Sequence, residues 1–127
     1  MDKIVHFEIP AENLDRANKF YTKIFGWEIK KYPMENMEYY GVGTVKTDKE
    51  HMPVEKGAIN GGMQKKEKTM PYPLLTISVE NIDEAIKKIN SSGGKVLTKK
   101  TKIADMGLYV RFQDTEGNIL SLWQNLM

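Results

Sequence analysis

The feature that most constrains the fold of this chain is an internal repeat. Residues 12–17 read Glu-Asn-Leu-Asp-Arg-Ala, and a similar stretch, Glu-Asn-Ile-Asp-Glu-Ala, stands 68 positions later at residues 80–85. The same offset carries Gly26 onto Gly94, and residues 57–64 align with residues 117–124 at an offset of 60. The order of these matches indicates a repeated supersecondary unit whose first copy has the longer middle.

Each copy opens with a strand and continues into a helix. Residues 3–9 alternate between the apolar set Val5, Phe7 and Ile9 and the opposite set Ile4, His6 and Glu8, as a half-buried strand does. Asn13 predicts a helix N-cap and Gly26 a helix end. Between them, apolar residues recur at helical spacing: Leu14, Ala17, Phe20, Tyr21, Ile24 and Phe25. In the second copy, residues 74–79 predict the strand and Asn81 the N-cap of the helix.

About three strands are predicted after each helix, near residues 27–32, 37–46 and 57–64 in the first copy and 95–98, 108–113 and 119–124 in the second. We therefore predict one α+β domain over residues 1–127, built from two βαβββ modules. Module 1 covers about 1–64, a charged linker with two prolines about 65–72, and module 2 about 73–127.

Composition excludes several classes of function. The absence of cysteine removes disulfides, thiolate metal sites and cysteine nucleophiles. A net charge of +2 gives no support for a nucleic-acid partner, and no apolar stretch is long enough for a signal peptide or a membrane span. We expect a cytoplasmic protein without a nucleic-acid or membrane partner.

Several motifs in these modules resemble one known family. They are Val5-His6-Phe7-Glu8-Ile9-Pro10, Arg16-Ala17, Phe20-Tyr21, Phe25-Gly26-Trp27, Asp114-Thr115-Glu116-Gly117-Asn118 and Leu122-Trp123-Gln124. The chain is similar to the vicinal-oxygen-chelate (glyoxalase/bleomycin resistance/extradiol dioxygenase) superfamily, and within it to small lactoylglutathione lyase-like proteins. The resemblance implies that the two modules form a curled mixed-sheet funnel with the site on its concave face.

The resemblance also raises the question of a metal ion. Metal-dependent members place one ligand on the first strand and one on the last strand of each module. His6 fits the first of these positions, but its repeat partner is Leu74, and the final-strand positions fall at Gly61 and Ser121. One ligand in four does not hold a catalytic ion, so we expect no metal and no other cofactor. The repeat alignment directs Gln64 away from the site. Its side chain would face the site only if the strand were shifted from this alignment by an odd number of residues.

Strand alternation selects the candidate ligand-binding residues on the face expected to be concave: His6, Glu8, Tyr39, Thr76, Tyr109, Arg111, Ser121 and Trp123. Tyr40 is a further candidate for an aromatic wall. His6 and Glu8 are the candidates for catalysis. For His6 the alternatives are a ligand contact, an acid–base role or a hydrogen-bonded remnant of a metal site, and for Arg111 an anionic ligand or an internal ion pair with Glu8. His51 is either a surface residue or part of a lid.

Three functions follow from these residues. The first is metal-independent binding of a small organic molecule in an aromatic-lined funnel. The second is a lyase or isomerase acting on a small carbonyl compound or thiol adduct, with His6 and Glu8 as an acid–base pair. The third is an association module, and a homodimer is expected because two such modules pair within one chain or between two.

Overall fold

The computed structural model of the chain describes residues 1–34 and 37–127, which form two compact units. The first unit is His6–Pro73. The second unit consists of Leu74–Met127 together with Met1–Val5. The five N-terminal residues, assigned to module 1 from the sequence, therefore group with the second unit.

The first unit contains one helix and a four-stranded mixed sheet. Its elements are α1 (Leu14–Phe25), β2 (Glu28–Tyr32), β3 (Tyr39–Gly43), β4 (Gly61–Lys65) and the part of β1 (Lys3–Ala11) that begins at His6. The strands lie in the order β2-β3-β4-β1. Strand β1 runs parallel to β4, while β3 is antiparallel to both of its neighbours.

The second unit repeats this plan with one more short strand. Its elements are β5 (Leu74–Ser78), α2 (Ile82–Ser91), β6 (Lys95–Val96), β7 (Thr101–Ile103), β8 (Gly107–Gln113) and β9 (Ile119–Asn125). The order is β5-β9-β8-β6, with β7 also paired to β8. Strand β5 is parallel to β9, as β1 is to β4. The predicted α+β class with two βαβββ modules is confirmed, and β7 is an addition to the prediction.

The two helices begin in the same way. The side-chain oxygen of Asn13 accepts a hydrogen bond from the N–H of Arg16 at 2.9 Å, and that of Asn81 accepts one from Glu84 at 3.0 Å. These N-caps stand 68 positions apart, as the repeat predicts. Helix α1 ends at Gly26, where φ is 69°. After α2 the left-handed residue is Gly93, with φ of 93°, and not Gly94.

Each helix covers one face of its own sheet. The first core is formed by Ala11, Leu14, Tyr40, Val42 and Met63. The second core is formed by Val79, Ile82, Val110, Phe112 and Leu122. Because alternate residues of a strand point to opposite faces, the remaining residues of each sheet are directed away from its helix. In the described part of the chain, neither α1 nor α2 is long and apolar enough to cross a membrane.

The predicted apolar stripe of α1 is only partly buried. Leu14 is buried and Ala17 and Tyr21 pack against the first core, but Phe20, Ile24 and Phe25 are exposed at 54%, 55% and 58%. The contact between a helix and a sheet follows one narrow stripe, and residues 14, 17 and 21 already occupy it. The other three side chains lie outside this stripe.

The N-caps allow a direct test of the repeated helix starts. We expect Asn81→Ala to lower the free energy of unfolding by about 1 kcal/mol, because an N–H in the first turn of α2 loses its acceptor. Urea denaturation measures the change. Asn90→Ala, on the exposed surface of the same helix, is the matched control and should have little effect.

Candidate functional site

The polar residues predicted for the first module lie together on the sheet face opposite α1. His6 and Glu8 alternate along β1 with Phe7 and Ile9, which pack against the first core. Glu8 pairs with Gly62 of β4, and Tyr39 of β3 pairs with Gln64. The structure therefore brings His6, Glu8 and Tyr39 onto one surface, which we call the His6 face.

The register of β4 corrects the sequence alignment by one residue. Gly61 pairs with Phe7, and a side chain on Gly61 would collide with the Phe7 ring, so position 61 belongs to the helix side. Gly62, which pairs with Glu8, lies on the His6 face instead. The alignment missed this because two adjacent glycines give no sign of which one faces the core. Position 62 is still a glycine, and it supplies no metal ligand.

Tyr39 occupies the space that a side chain at position 62 would fill. A Cβ atom placed on Gly62 would overlap the Tyr39 hydroxyl and the adjoining ring atoms. The same hydroxyl lies 3.4 Å from Nε2 of His6. The phenol of Tyr39 thus lies over the Gly62 backbone and is a hydrogen-bonding partner of the imidazole.

Both members of this pair are neutral near pH 7. Burial lowers the pKa of His6 to about 4, because the charged imidazolium is poorly solvated there. Burial also raises the pKa of Tyr39, and the nearby charge of Glu8 and the phenol of Tyr32 raise it further. The His6 face therefore carries a neutral donor–acceptor pair beside the carboxyl group of Glu8.

Two further residues join the His6 face. Gln64 is buried and alternates with Met63, which is fully buried in the first core. Tyr32 pairs with Tyr39, and their ring centroids are 6.1 Å apart. The shift of one residue in the register of β4 is what brings Gln64 onto this face.

The candidates from the second module also share one surface, on the sheet face opposite α2. Strand pairing places Tyr109 beside Trp123, and Arg111 beside Ser121. Thr76 of β5 pairs with the same Ser121. We call this surface the Arg111 face.

Arg111 is held firmly by its neighbours. It is buried, at 5% exposure, and its Nε–H donates to the Tyr109 hydroxyl at 2.9 Å. The guanidinium carbon lies 5.5 Å from the centroid of the Tyr109 ring, a cation–π distance. The backbone N–H of Arg111 donates to the Thr98 hydroxyl. The hydroxyl and ring of Tyr109 therefore orient the guanidinium, and the Thr98 contact holds the backbone of Arg111.

The side chains of Thr76 and Ser121 are hydrogen-bonded to each other. Their hydroxyl oxygens are 2.8 Å apart, and both residues are almost completely buried. A buried hydroxyl needs a hydrogen-bond partner, and each supplies one to the other. Ser121 is one of the final-strand positions where metal-dependent members of the family hold a ligand, and here it is engaged with Thr76.

The aromatic candidates have different roles. Tyr40 is not a wall of the site: it is buried in the first core, and its hydroxyl donates to Asp15 at 2.8 Å. Its neighbour Tyr39 lies on the opposite face, as strand alternation requires. The Trp123 ring lies over Gly107, where a Cβ atom would collide with it.

The residues at the family's metal positions do not fit a metal ion. Besides His6, these positions hold Leu74, Ser121 and Gly62, and the Tyr39 phenol covers the last of them. Within residues 1–34 and 37–127, no group of three or more His, Cys, Asp or Glu side chains is arranged to hold an ion. The side chains at these positions therefore give no support for Lewis-acid chemistry in this chain.

Other features lie away from both faces. His51 is exposed, with φ of 63°, in a loop where the Asp48 carboxylate accepts hydrogen bonds from two backbone N–H groups. The first unit also has a surface cavity of about 450 Å³ beside α1 and the segment before β5. His6, Glu8 and Tyr39 do not line it.

Comparison with known proteins gives consistent matches along nearly the whole chain. The model of the Glyoxalase/Bleomycin resistance protein/Dioxygenase superfamily matches residues 3–122. A lactoylglutathione lyase from Escherichia coli O157:H7 is 29% identical over 126 residues, which cover 94% of this chain and 90% of that protein. A glyoxylase-like domain-containing protein from Didymella fabae is 30% identical over 124 residues, covering 91% of this chain and 88% of that protein.

Solved structures share the fold at low sequence identity. Methylmalonyl-CoA epimerase from Streptomyces coelicolor, in complex with 2-nitronate-propionyl-CoA, aligns with a TM-score of 0.68 over 98% of each chain at 15% identity. A hypothetical protein from Bacillus halodurans C-125 has a TM-score of 0.68 over 98% of this chain and 94% of its own, at 11% identity. These matches confirm the predicted fold.

The low pKa of His6 predicts an acid-sensitive fold. The unfolded chain protonates His6 near pH 6.5, whereas the folded chain does so only near pH 4. The free energy of unfolding is therefore unaffected by His6 above pH 6.5. It falls by roughly 3 kcal/mol as the pH drops from 6.5 to 4, because only the unfolded chain binds the proton in that range. Urea denaturation from pH 7 to 4 should show a weaker pH dependence for His6→Gln. His51→Gln is the control and should follow the wild type.

The contact between Tyr39 and Gly62 predicts strong coupling between them. We expect Gly62→Ala to destabilise the fold by about 1–3 kcal/mol, since the new methyl group must displace the phenol. In a Tyr39→Ala background the same change should cost much less. Gly43→Ala, whose Cβ atom meets no neighbour closer than 3.4 Å, is the control. Additive effects in this double-mutant cycle would contradict the proposed contact.

Proposed function

The chain belongs to the Glyoxalase/Bleomycin resistance protein/Dioxygenase superfamily, and from this membership we propose that it binds a small organic molecule without using a metal ion. The observation that carries the proposal is the position of Tyr39. Its phenol covers Gly62, where a ligand side chain would be needed, and is a hydrogen-bonding partner of His6. The one metal-type side chain at the family's four positions is thus engaged in a neutral pair.

The composition of the two faces supports binding of an organic molecule. Small-molecule sites combine aromatic surface with a few fixed polar groups. The His6 face provides the rings of Tyr32 and Tyr39 beside the imidazole. The Arg111 face provides a guanidinium fixed by Tyr109. Glu8, Thr76, Ser121 and Trp123 remain candidate ligand contacts on these faces.

A second candidate function is a lyase acting on a small carbonyl compound or thiol adduct. It is favoured by the 29% identity to a lactoylglutathione lyase over 94% of this chain. It requires either a bound ion or an acid–base pair such as His6 and Glu8. The poor fit of the metal positions favours the binding function.

A homodimer and a cytoplasmic location are further proposals. The exposed side chains of Phe20, Ile24 and Phe25 give α1 an apolar outer surface that suits association with another chain. The corresponding positions in α2 and just after it, at the repeat offset, are Lys88, Ser92 and Gly93. The apolar character of this surface is therefore specific to the first module.

Metal analysis and an activity assay test the binding function together. We expect purified protein to contain far less than one equivalent of nickel, zinc, manganese or iron. We also expect methylglyoxal with glutathione to react no faster than the background rate, with or without added metal.

Near-stoichiometric metal together with a metal-dependent rate would establish the lyase and refute the proposal. The His6→Ala variant is the control for adventitious ions. Metal that remains bound after this substitution does not occupy the family site.

A further inference from the structure

We propose that the surface cavity beside α1 is a second binding site, and that its ligand is an aromatic monocarboxylate. The carboxylate pairs with Arg16 and Lys66, and the ring packs against Tyr21 and Tyr72. None of the residues assigned to the His6 face lines this cavity. The site is therefore independent of the function proposed for that face.

The cavity has a volume suited to a small ring compound. It measures about 450 Å³, and small-molecule sites span about 300–1,000 Å³. Its walls come from the end of β1 at Ile9 and Pro10, from the first part of α1, and from the segment before β5. All of these residues belong to the first unit.

The walls are held by contacts within the protein. Tyr21 packs against the first core and stacks on Trp27, with ring centroids 5.1 Å apart and an interplanar angle of 7°. In the segment before β5, the N–H of Lys66 donates to the carbonyl of Ala11 at 3.0 Å, and Met70 is fully buried. These contacts shape the cavity before a ligand enters, which lowers the entropic cost of binding.

The apolar part of the lining favours a flat ring. Tyr21 and Tyr72 line the cavity, together with three prolines at positions 10, 71 and 73. Aromatic side chains are typical walls of small-molecule sites, and they pack well against a second ring. Tyr72 is 40% exposed, so a ligand in the cavity can reach it.

The charged part of the lining favours a single negative charge. Arg16 and Lys66 line the cavity with one acid, Glu12, which leaves an excess of one positive charge. Within residues 1–34 and 37–127, neither Arg16 nor Lys66 forms a side-chain ion pair. A guanidinium binds a carboxylate through two parallel N–H groups. A monoanion balances the excess charge, whereas Glu12 disfavours a dianion by like-charge repulsion.

The second module shows that helix packing does not require these side chains. At the repeat offset of 68, Arg16 corresponds to Glu84 and Tyr21 to Ile89. Ile89 packs against the second core as Tyr21 packs against the first. The contact between helix and sheet therefore needs neither a cation nor an aromatic ring at these positions.

Phenylacetate and two related compounds test the ligand class. Phenylacetamide is its neutral analogue, and phenyl phosphate is largely a dianion at neutral pH. Two-dimensional ¹H–¹⁵N NMR of the full chain follows the backbone N–H signals of Arg16, Lys66 and Tyr72. We expect phenylacetate to shift these signals in a saturable manner. We expect phenylacetamide to bind about tenfold more weakly, because it forms neither exposed ion pair, and phenyl phosphate also to bind more weakly.

Variants at the cavity separate specific contacts from general surface charge. We expect Arg16→Gln and Lys66→Gln each to weaken phenylacetate binding about fivefold, the effect of one exposed ion pair. Lys68→Gln removes the same charge from an exposed lysine outside the cavity and should leave the affinity unchanged. Tyr72→Ala should also weaken binding about fivefold, whereas Tyr72→Phe keeps the ring and should bind as the wild type does. Circular dichroism verifies that each variant is folded.

Each contrary result overturns a definite part of the proposal. Absence of phenylacetate shifts at the cavity, or shifts confined to the His6 face, would refute the site. Equal binding of phenylacetamide, or equal weakening by Lys68→Gln, would refute the role of Arg16 and Lys66. Tighter binding of phenyl phosphate would refute the choice of a monoanion. None of these results bears on metal-independent binding at the His6 face.

Discussion

The packing of one helix against one face of each sheet determines which residues are left for chemistry. In the first unit, Leu14, Val42 and Met63 share the core beneath α1. In the second unit, Ile82, Val110 and Leu122 do the same beneath α2. Since neighbouring residues of a strand point in opposite directions, burial of these apolar sets directs His6 and Arg111 to the opposite faces. A shift of one residue in the register of a strand would turn its apolar side chains out of the core. Packing of the core therefore fixes the register, and the register fixes which polar residues lie on the opposite face.

Each polar face is completed by contacts between its own side chains. On the His6 face, the Tyr39 phenol fills the space above Gly62 and lies beside the imidazole. On the Arg111 face, the hydroxyl groups of Thr76 and Ser121 share a hydrogen bond in an almost completely buried contact. Buried polar groups are costly when they lack partners, and a bound metal ion is one way to supply them. On these two faces, the contacts of Tyr39 with His6 and of Thr76 with Ser121 supply partners from the protein itself.

These contacts give the scaffold a different chemical character from a metal site. A metal ion binds and polarises substrate oxygens through its charge. A neutral imidazole and phenol act through directional hydrogen bonds, whose strength is modest and whose selectivity depends on donor and acceptor type. Family membership is therefore compatible with a change of ligand and of mechanism, because function depends on the residues of the site and not on the fold that carries them.

Much of this protein was determined by the sequence alone: the repeat, both N-caps, the side-chain alternation of β1 and the poor match to the family's metal positions. These features are local, and a few neighbouring residues suffice to specify them. Only the tertiary structure decided the register of β4, because Gly61 and Gly62 have no side chains to mark a face. It also distinguished Tyr39 from Tyr40: adjacent tyrosines are chemically alike, and pairing with β4 placed one over Gly62 and the other in the core. The contact between Tyr39 and His6 joins residues 33 positions apart. A local sequence pattern cannot predict a contact over that separation.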